Sequence, residues 1–302
     1  MSYTCIGLCQ VREHHKQHSS PRYRMRIRNL IAVVITCLFV LQCISIADYL
    51  NEEKYLLGLM DRITPRSLPP SEQAIKVVES LKDLPVRDFS AMERDTPYFL
   101  FPIFSFLRPM PRQVMEQGGD CADRSRLVIR LLRLHGIEAS KWALYTREMK
   151  SVHAVVELEA ETGKMVADPL FGLWFPRSSG GYYGIRELRQ LPEILRDRVQ
   201  SLVEQGKRPG ASDLRKYPFD DYSYKYAKTI NWEKWVVTWP LYKALGFIMG
   251  SSLDDLRRPA FVEAPQLMVV MMAAVLQGGL IVIYFALVRM DGNMKREKSW
   301  SI

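Results

Sequence analysis

The chain has 302 residues, with 42 Lys and Arg against 33 Asp and Glu, a formal net charge of +9. That length can bury one substantial core and still carry extra segments. The positive surplus invites a nucleic-acid reading, but its placement leaves that only a weak alternative: it gathers beside two apolar runs, and residues 49–266 scatter their cations among acids.

Residues 1–29 form a basic tail, with Arg12, Lys16, Arg22, Arg24, Arg26 and Arg28 crowded ahead of Asn29. Residues 30–47 are apolar, broken only by mild residues such as Thr36, Gln42 and Ser45. A second apolar run occupies 267–288, and residues 289–302 form another basic tail with Arg289, Lys295, Arg296 and Lys298. Both runs approach or exceed the roughly 18–20 residues that cross a bilayer. The first is longer than the apolar part of a signal peptide, and no small-x-small cleavage site follows it. Both are therefore expected to be uncleaved transmembrane helices. The positive-inside rule then predicts cytoplasmic termini, with 48–266 as an extracytoplasmic domain. The expected location is a cell inner membrane, crossed twice, with the main domain in a periplasm.

Of five cysteines, Cys5 and Cys9 fall in the first tail and Cys37 and Cys43 in the first span. Cys121 alone lies in 48–266, so it has no intrachain disulfide partner there. Cys5 and Cys9 lack a second ligand pair, and no acidic cluster suggests calcium. Neither a metal nor a cofactor is expected.

After the first span, residues 48–60 read as a helical stalk. Ser71 reads as the N-cap of a short helix carrying Ile75, Val78, Leu81 and Leu84, which ends near Pro85. Residues 91–115 are rich in proline and phenylalanine and read first as an irregular buried support, with an apolar wall of a substrate cleft as the alternative. Next comes Gly118-Gly119-Asp120-Cys121-Ala122-Asp123-Arg124-Ser125, a glycine turn that delivers a cysteine to the start of an amphipathic helix. Asp120 is the predicted N-cap, and Leu127, Val128, Leu131 and Leu134 form the apolar stripe before the stop at Gly136. Helix-start N–H groups favour a negative sulfur at Cys121, while Asp120 and Asp123 oppose it.

Residues 138–146 read as a strand. Residues 151–160 alternate, with Val152, Ala154, Val156 and Leu158 on one side and His153, Val155, Glu157 and Glu159 on the other. Glu161-Thr162-Gly163-Lys164 is a turn, and Met165 to Pro169 return as the second arm of a hairpin. His153 and Asp168 fall near the end of the hairpin distant from that turn, within cross-strand reach or brought opposite by a bulge. Residues 171–183 read as an exposed loop and 185–204 as one helix interrupted by Pro192. Tyr222, Tyr224 and Tyr226 alternate like an edge strand. Core packing is the first reading of these aromatics, and a sugar-stacking face running on to Trp232, Trp235 and Trp239 is the second. The tryptophans, Lys243 and residues 245–249 also suit a membrane interface.

Cys121 at a helix start, His153 on a strand and Asp168 on its neighbour supply a nucleophile, a proton carrier and an orienting acid in chain order. The Cys121 N–H is the natural first oxyanion donor, with Gln117 and Gln113 as candidates for the second. The stretches Gly119–Asp123, Leu131–Ala139, His153–Glu157 and Ala167–Pro169 together resemble the transglutaminase-like superfamily, over residues 113–171. Glycine-aspartate before the cysteine and an acid two places after it are also similar to bacterial transglutaminase-like periplasmic cysteine peptidases. Those proteins usually follow the acid with an aromatic and a small residue, where this chain has Arg124-Ser125.

The resemblance implies an α+β, papain-like domain between the two spans, with Cys121, His153 and Asp168 as a catalytic triad. It implies an enzyme, a cysteine hydrolase, peptidase or acyltransferase acting on an amide or ester bond. The expected partner is a protein or peptide-like substrate, or a cell-envelope component, and not nucleic acid. The alternative is a non-catalytic binding or scaffold module of an envelope complex, possibly polysaccharide-related, using the aromatics of 222–239.

Overall fold

A computed structural model of the chain describes residues 21–87, 109–148, 150–217, 219, 224–232, 236, 238–259 and 263–299. Most of the first basic tail, residues 91–108 of the proline- and phenylalanine-rich segment, Tyr222 and Trp235 lie outside the described residues. The chain divides into two compact units, Met1–Tyr49 with Gln266–Ile302, and Leu50–Pro265.

The first unit holds two long apolar helices, the outer part of α1 (Pro21–Ile63) and α8 (Pro265–Ser299). Both are long and apolar enough to cross a membrane, over Met25–Ile63 and Pro265–Met290. Leu30, Val33, Phe39 and Val40 on α1, and Val275, Val282 and Phe285 on α8, are exposed. Polar contacts tie the pair: Gln277 donates to the Ile35 carbonyl at 3.3 Å and Gln266 to Asp48 at 3.1 Å.

The second unit mixes helices with one antiparallel sheet. Its helices are α2 (Pro70–Ser80), α3 (Pro111–Gln117), α4 (Cys121–Leu134), α5 (Ile185–Gln190), α6 (Pro192–Glu204) and α7 (Thr238–Met249). Its strands are β1 (Ala139–Tyr145), β2 (Ser151–Ala160), β3 (Gly163–Asp168), β4 (Leu173–Trp174) and β5 (Ala227–Lys228), ordered β4-β3-β2-β1-β5.

The predicted alternation of β2 holds, but from His153 to Leu158 neither face is open to water. Val156 and Leu158, with Met165 and Ala167 of β3, pack against Leu127, Leu131, Val77 and Val78 of α4 and α2. Val155 and Val166, with Trp142 and Leu144 of β1, pack against Ile185, Leu188, Leu195 and Val199 of α5 and α6. Each face thus loses its apolar surface to a helical layer, the arrangement that lets both sets of strand residues be apolar.

Several local expectations are corrected. Residues 48–60 are helical as expected, but they do more than a stalk, because Leu56 and Met60 are fully buried in the core beside α2 and α4. Ser71 lies inside α2, whose N-cap is Pro69, and its hydroxyl donates to Glu161 across the sheet turn. Residues 171–183 are only in part an exposed loop: Ser178 to Gly180 are exposed, whereas Leu173–Trp174 pair with β3, and Phe171, Leu173 and Phe175 are buried. Pro192 does not merely interrupt one helix; it opens a second one, with Leu191 at φ −122° and ψ 67° between them. The edge strand is Ala227–Lys228 rather than Tyr224 and Tyr226, and buried Tyr224 adopts φ 56°.

Helix α4 is more buried than its amphipathic pattern predicts, since every residue from Asp123 to Leu132 is buried. Its charges are paired to allow this: Arg126 with Asp123 at 2.6 Å, and Arg130 with Glu52 at 2.8 Å and with Glu53. Its C-cap His135 contacts Gln73 at 2.7 Å and Asp61 at 2.9 Å.

Candidate active site

The site begins with a turn that only glycine can make. Gly118 has φ +87°, and a Cβ there would sit 2.0 Å from the Pro85 carbonyl oxygen. Gly119 then donates its N–H to that same Pro85 oxygen at 3.2 Å. Asp120 caps α4 as its position predicts, accepting from the Asp123 N–H at 2.8 Å. Cys121 is thereby held half-buried at the first helical position, packed at the margin of the apolar cluster that contains Val155 and Phe171.

Two residues that the sequence reading passed over fix this turn. Arg124 is fully buried, and its guanidinium donates to the carbonyls of Gly119 at 3.0 Å, Leu81 at 2.6 Å, Leu84 at 2.5 Å and Pro85 at 3.0 Å. It ties the cysteine turn to the end of α2. Burial pulls this guanidinium down to about 10, with Asp120 opposing, so it stays charged at neutral pH. The Ser125 hydroxyl lies 2.7 Å from the Cys121 carbonyl and 3.3 Å from that of Ala154, beside His153 on β2. Arg124 did leave a signal: it shares a helix face with Leu127, Val128 and Leu131, where an unpaired cation is too costly to bury.

The hairpin register brings the other two residues together without a bulge between β2 and β3. Pairing runs from Ala160↔Gly163 to Val156↔Ala167, so Asp168 continues opposite Val155 and lies diagonal to His153 on the same face. His153 Nε2 and Asp168 Oδ2 are 2.6 Å apart, and both residues are buried. The other carboxylate oxygen, Oδ1, accepts the N–H groups of Leu170 and Phe171, each at 3.1 Å. Asp168 is thus fixed by its own turn before it touches the imidazole.

With Nε2 engaged, Nδ1 is the ring nitrogen left for sulfur, and the Cys121 sulfur is near enough to favour charge on the imidazole. Burial disfavours charge on the imidazole, but Asp168 and, less strongly, Cys121 outweigh it and push His153 up to about 10. The imidazole is therefore a protonated group at neutral pH, set between a carboxylate and a sulfur. Phe171 and Tyr217 stand edge-on to the ring, with centroids 5.5 Å and 6.2 Å away, and limit water around it.

The two glutamines differ. Gln113 is fully buried, whereas Gln117, the last residue of α3, is half-buried with an Oε1 that has no hydrogen-bond partner among the described residues. Glu157, on the same strand face as His153, takes a structural part: it accepts from Ile185 N–H at 2.8 Å and Trp142 Nε1–H at 3.2 Å, holding α5 to the sheet. Of the described aromatics in the contact face proposed over 222–239, Tyr224 and Trp232 are buried, Tyr226 is half-buried and Trp239 is exposed. Among the described residues no cluster of three or more His, Cys, Asp and Glu groups is placed to hold a metal ion.

Chemically, the arrangement can lodge a proton from a thiol on His153 and return it to a departing group while Asp168 keeps the ring oriented. No family model, curated protein or solved structure matches the chain.

Proposed function

We propose that this is a membrane-anchored cysteine acyl hydrolase of transglutaminase-like type, with Cys121, His153 and Asp168 as its triad. The observation that carries the reading is the buried His153 ring, held through Nε2 by Asp168 at 2.6 Å, with the Cys121 sulfur near enough to favour charge on it. The Cys121 sulfur attacks the carbonyl carbon of an amide or ester, and its proton resides on His153. The carbonyl oxygen gains charge opposite the Cys121 backbone N–H, which as the first residue of α4 has no acceptor within its own helix. Gln117 and Gln113 are the candidates for the second donor. The carbon–nitrogen or carbon–oxygen bond then breaks, His153 protonates the departing group, and an acyl-thioester remains on Cys121. Water, or an amine in the transferase version, attacks it with His153 as base. Water is the more abundant acceptor, so hydrolysis is the default. The substrate is a protein, a peptide-like molecule or another cell-envelope component.

The same reading puts both helices across an inner membrane, with cytoplasmic basic tails and residues 48–266 outside. Two apolar helices with exposed aliphatic side chains and mutual glutamine contacts support it. The test is acylation by p-nitrophenyl acetate of the full chain in detergent, followed by peptide mapping. The proposal expects an acetyl group on Cys121 that is lost in His153→Ala. Acetylation elsewhere only, or equal acetylation of Cys121 in the variant, rules the triad out.

A further inference from the structure

Helix α7 turns an apolar side outward. Thr238, Tyr242, Leu245, Gly246 and Met249 recur at helical spacing and are its half-buried residues. The opposite side is exposed and carries Trp239, Leu241, Phe247 and Ile248, with Lys243 as the one charge of the helix. Phe247 is 94% exposed and Ile248 76%, and no residue of α7 is fully buried. An ordinary surface helix is arranged the other way, as α6 is: Leu195, Val199 and Leu202 are buried, while Glu193, Arg196, Asp197 and Gln200 are exposed. An outward apolar face of this kind marks a surface that is covered in use.

Three observations choose the cover. The helix has 12 residues, so at about 1.5 Å each it spans about 18 Å. That is short of the roughly 30 Å hydrocarbon core, so α7 can lie along a bilayer but cannot cross one. Its polar margin is built from the residue types that settle at headgroup level. The Trp239 and Tyr242 rings stack with centroids 5.7 Å apart, Lys243 Nζ stands 5.2 Å over Trp239, and Lys228 Nζ stands 5.5 Å over Tyr242. The helix itself contains no acid that would repel an anionic headgroup. Finally, residues 250–264 alone separate Met249 from Pro265, where α8 begins. A surface tethered that closely to a bilayer meets lipid at high effective concentration, which favours lipid over a diffusing protein.

We propose that α7 is a third membrane contact, a helix that lies in the interface of the phospholipid bilayer with Leu241, Phe247 and Ile248 in the acyl region and Trp239, Tyr242 and Lys243 at the headgroups. This rests on the proposed membrane anchoring and adds to it a surface that docks the extracytoplasmic domain on lipid. It does not depend on the chemistry at Cys121.

The test introduces p-benzoylphenylalanine at one position at a time in the full-length protein, held singly in nanodiscs of phosphatidylethanolamine and phosphatidylglycerol. Under light the ketone inserts into a neighbouring C–H bond, and intact mass with peptide mapping identifies what it captured. Phe247 on α7 is the site tested, Val282 on α8 the membrane reference and Gln200 on α6 the water-facing reference; all three are exposed, so the new side chain displaces no packing. Moving one large apolar side chain from water into lipid is favoured about tenfold or more, so phospholipid capture at 247 is expected to exceed that at 200 by about that factor. Capture at 282 is expected to resemble capture at 247. Lipid capture at 282 with no excess at 247 over 200, or capture at 247 of protein instead of lipid, whether the same chain or a second copy, overturns the α7 contact and leaves the anchoring standing. No lipid capture at 247 or at 282 overturns both.

Discussion

The titration of His153 has a consequence for stability that Asp168→Asn isolates. In the folded protein its protonated form is held up to about 10 against an ordinary 6.5, through Asp168 first and Cys121 second, over the opposition of burial. A group whose pKa rises on folding stabilises the fold fully below its unfolded value and loses that contribution as pH rises through the folded value. The native protein should therefore lose stability between about pH 6.5 and 10. At about 1.4 kcal/mol per unit, the gap sets a ceiling of about 5 kcal/mol, and a part of it belongs to Cys121. For a unit of this size about 2–4 °C of melting temperature goes with each kcal/mol, so the fall is on the order of 10 °C. In Asp168→Asn the main raising charge is gone, burial pulls the imidazole down, and this part of the alkaline slope disappears. Thermal unfolding of both full-length proteins in detergent at steps from pH 6 to 10 measures the difference between their slopes. Identical alkaline slopes, or a native protein that gains stability with rising pH, would refute the electrostatic account of the pair.

Two further substitutions probe the turn that carries the thiol. Gly118→Ala forces a side chain onto the Pro85 carbonyl at positive φ, and is expected to cost about 2 kcal/mol or more; a melting temperature within about 1 °C of native would contradict the turn geometry. Arg124→Met removes the donor to four carbonyls in a dry site, and is expected to cost about 3–5 kcal/mol and to slow Cys121 alkylation. A native melting curve for this variant would mean that the carbonyls find other partners.

What was legible in the sequence depended on signals that are local. The start of α4 was readable because a glycine pair, an N-cap aspartate and an apolar stripe fall within a few residues of Cys121. The β2–β3 hairpin was readable because its turn and alternation are contiguous, and the pairing places Asp168 diagonal to His153. The rest depended on contacts distant in sequence. Glu157 and His153 looked like a polar strand face because nothing near them announces that α5 and α6 cover it. A two-residue strand such as Leu173–Trp174 is too short to show a period, so its segment resembled a loop. Tyr224 kept the alternation of a strand while adopting φ 56°, which no residue-type pattern encodes. Arg124 was conspicuous in an apolar stripe, but its acceptors at Leu81, Leu84 and Pro85 lie about forty residues earlier. The resemblance in the stretch 113–171 named the three site residues and was silent on the clamp that holds the first of them.

The most direct measurement is the rate of Cys121 alkylation by iodoacetamide as a function of pH, in full-length protein and in His153→Ala. If the sulfur shares its proton with His153, the native rate stays high from neutral pH down toward pH 6, and the variant shows the slow, steadily rising profile of an ordinary thiol. Superimposable profiles for the two proteins, both following an ordinary thiol, would contradict the triad.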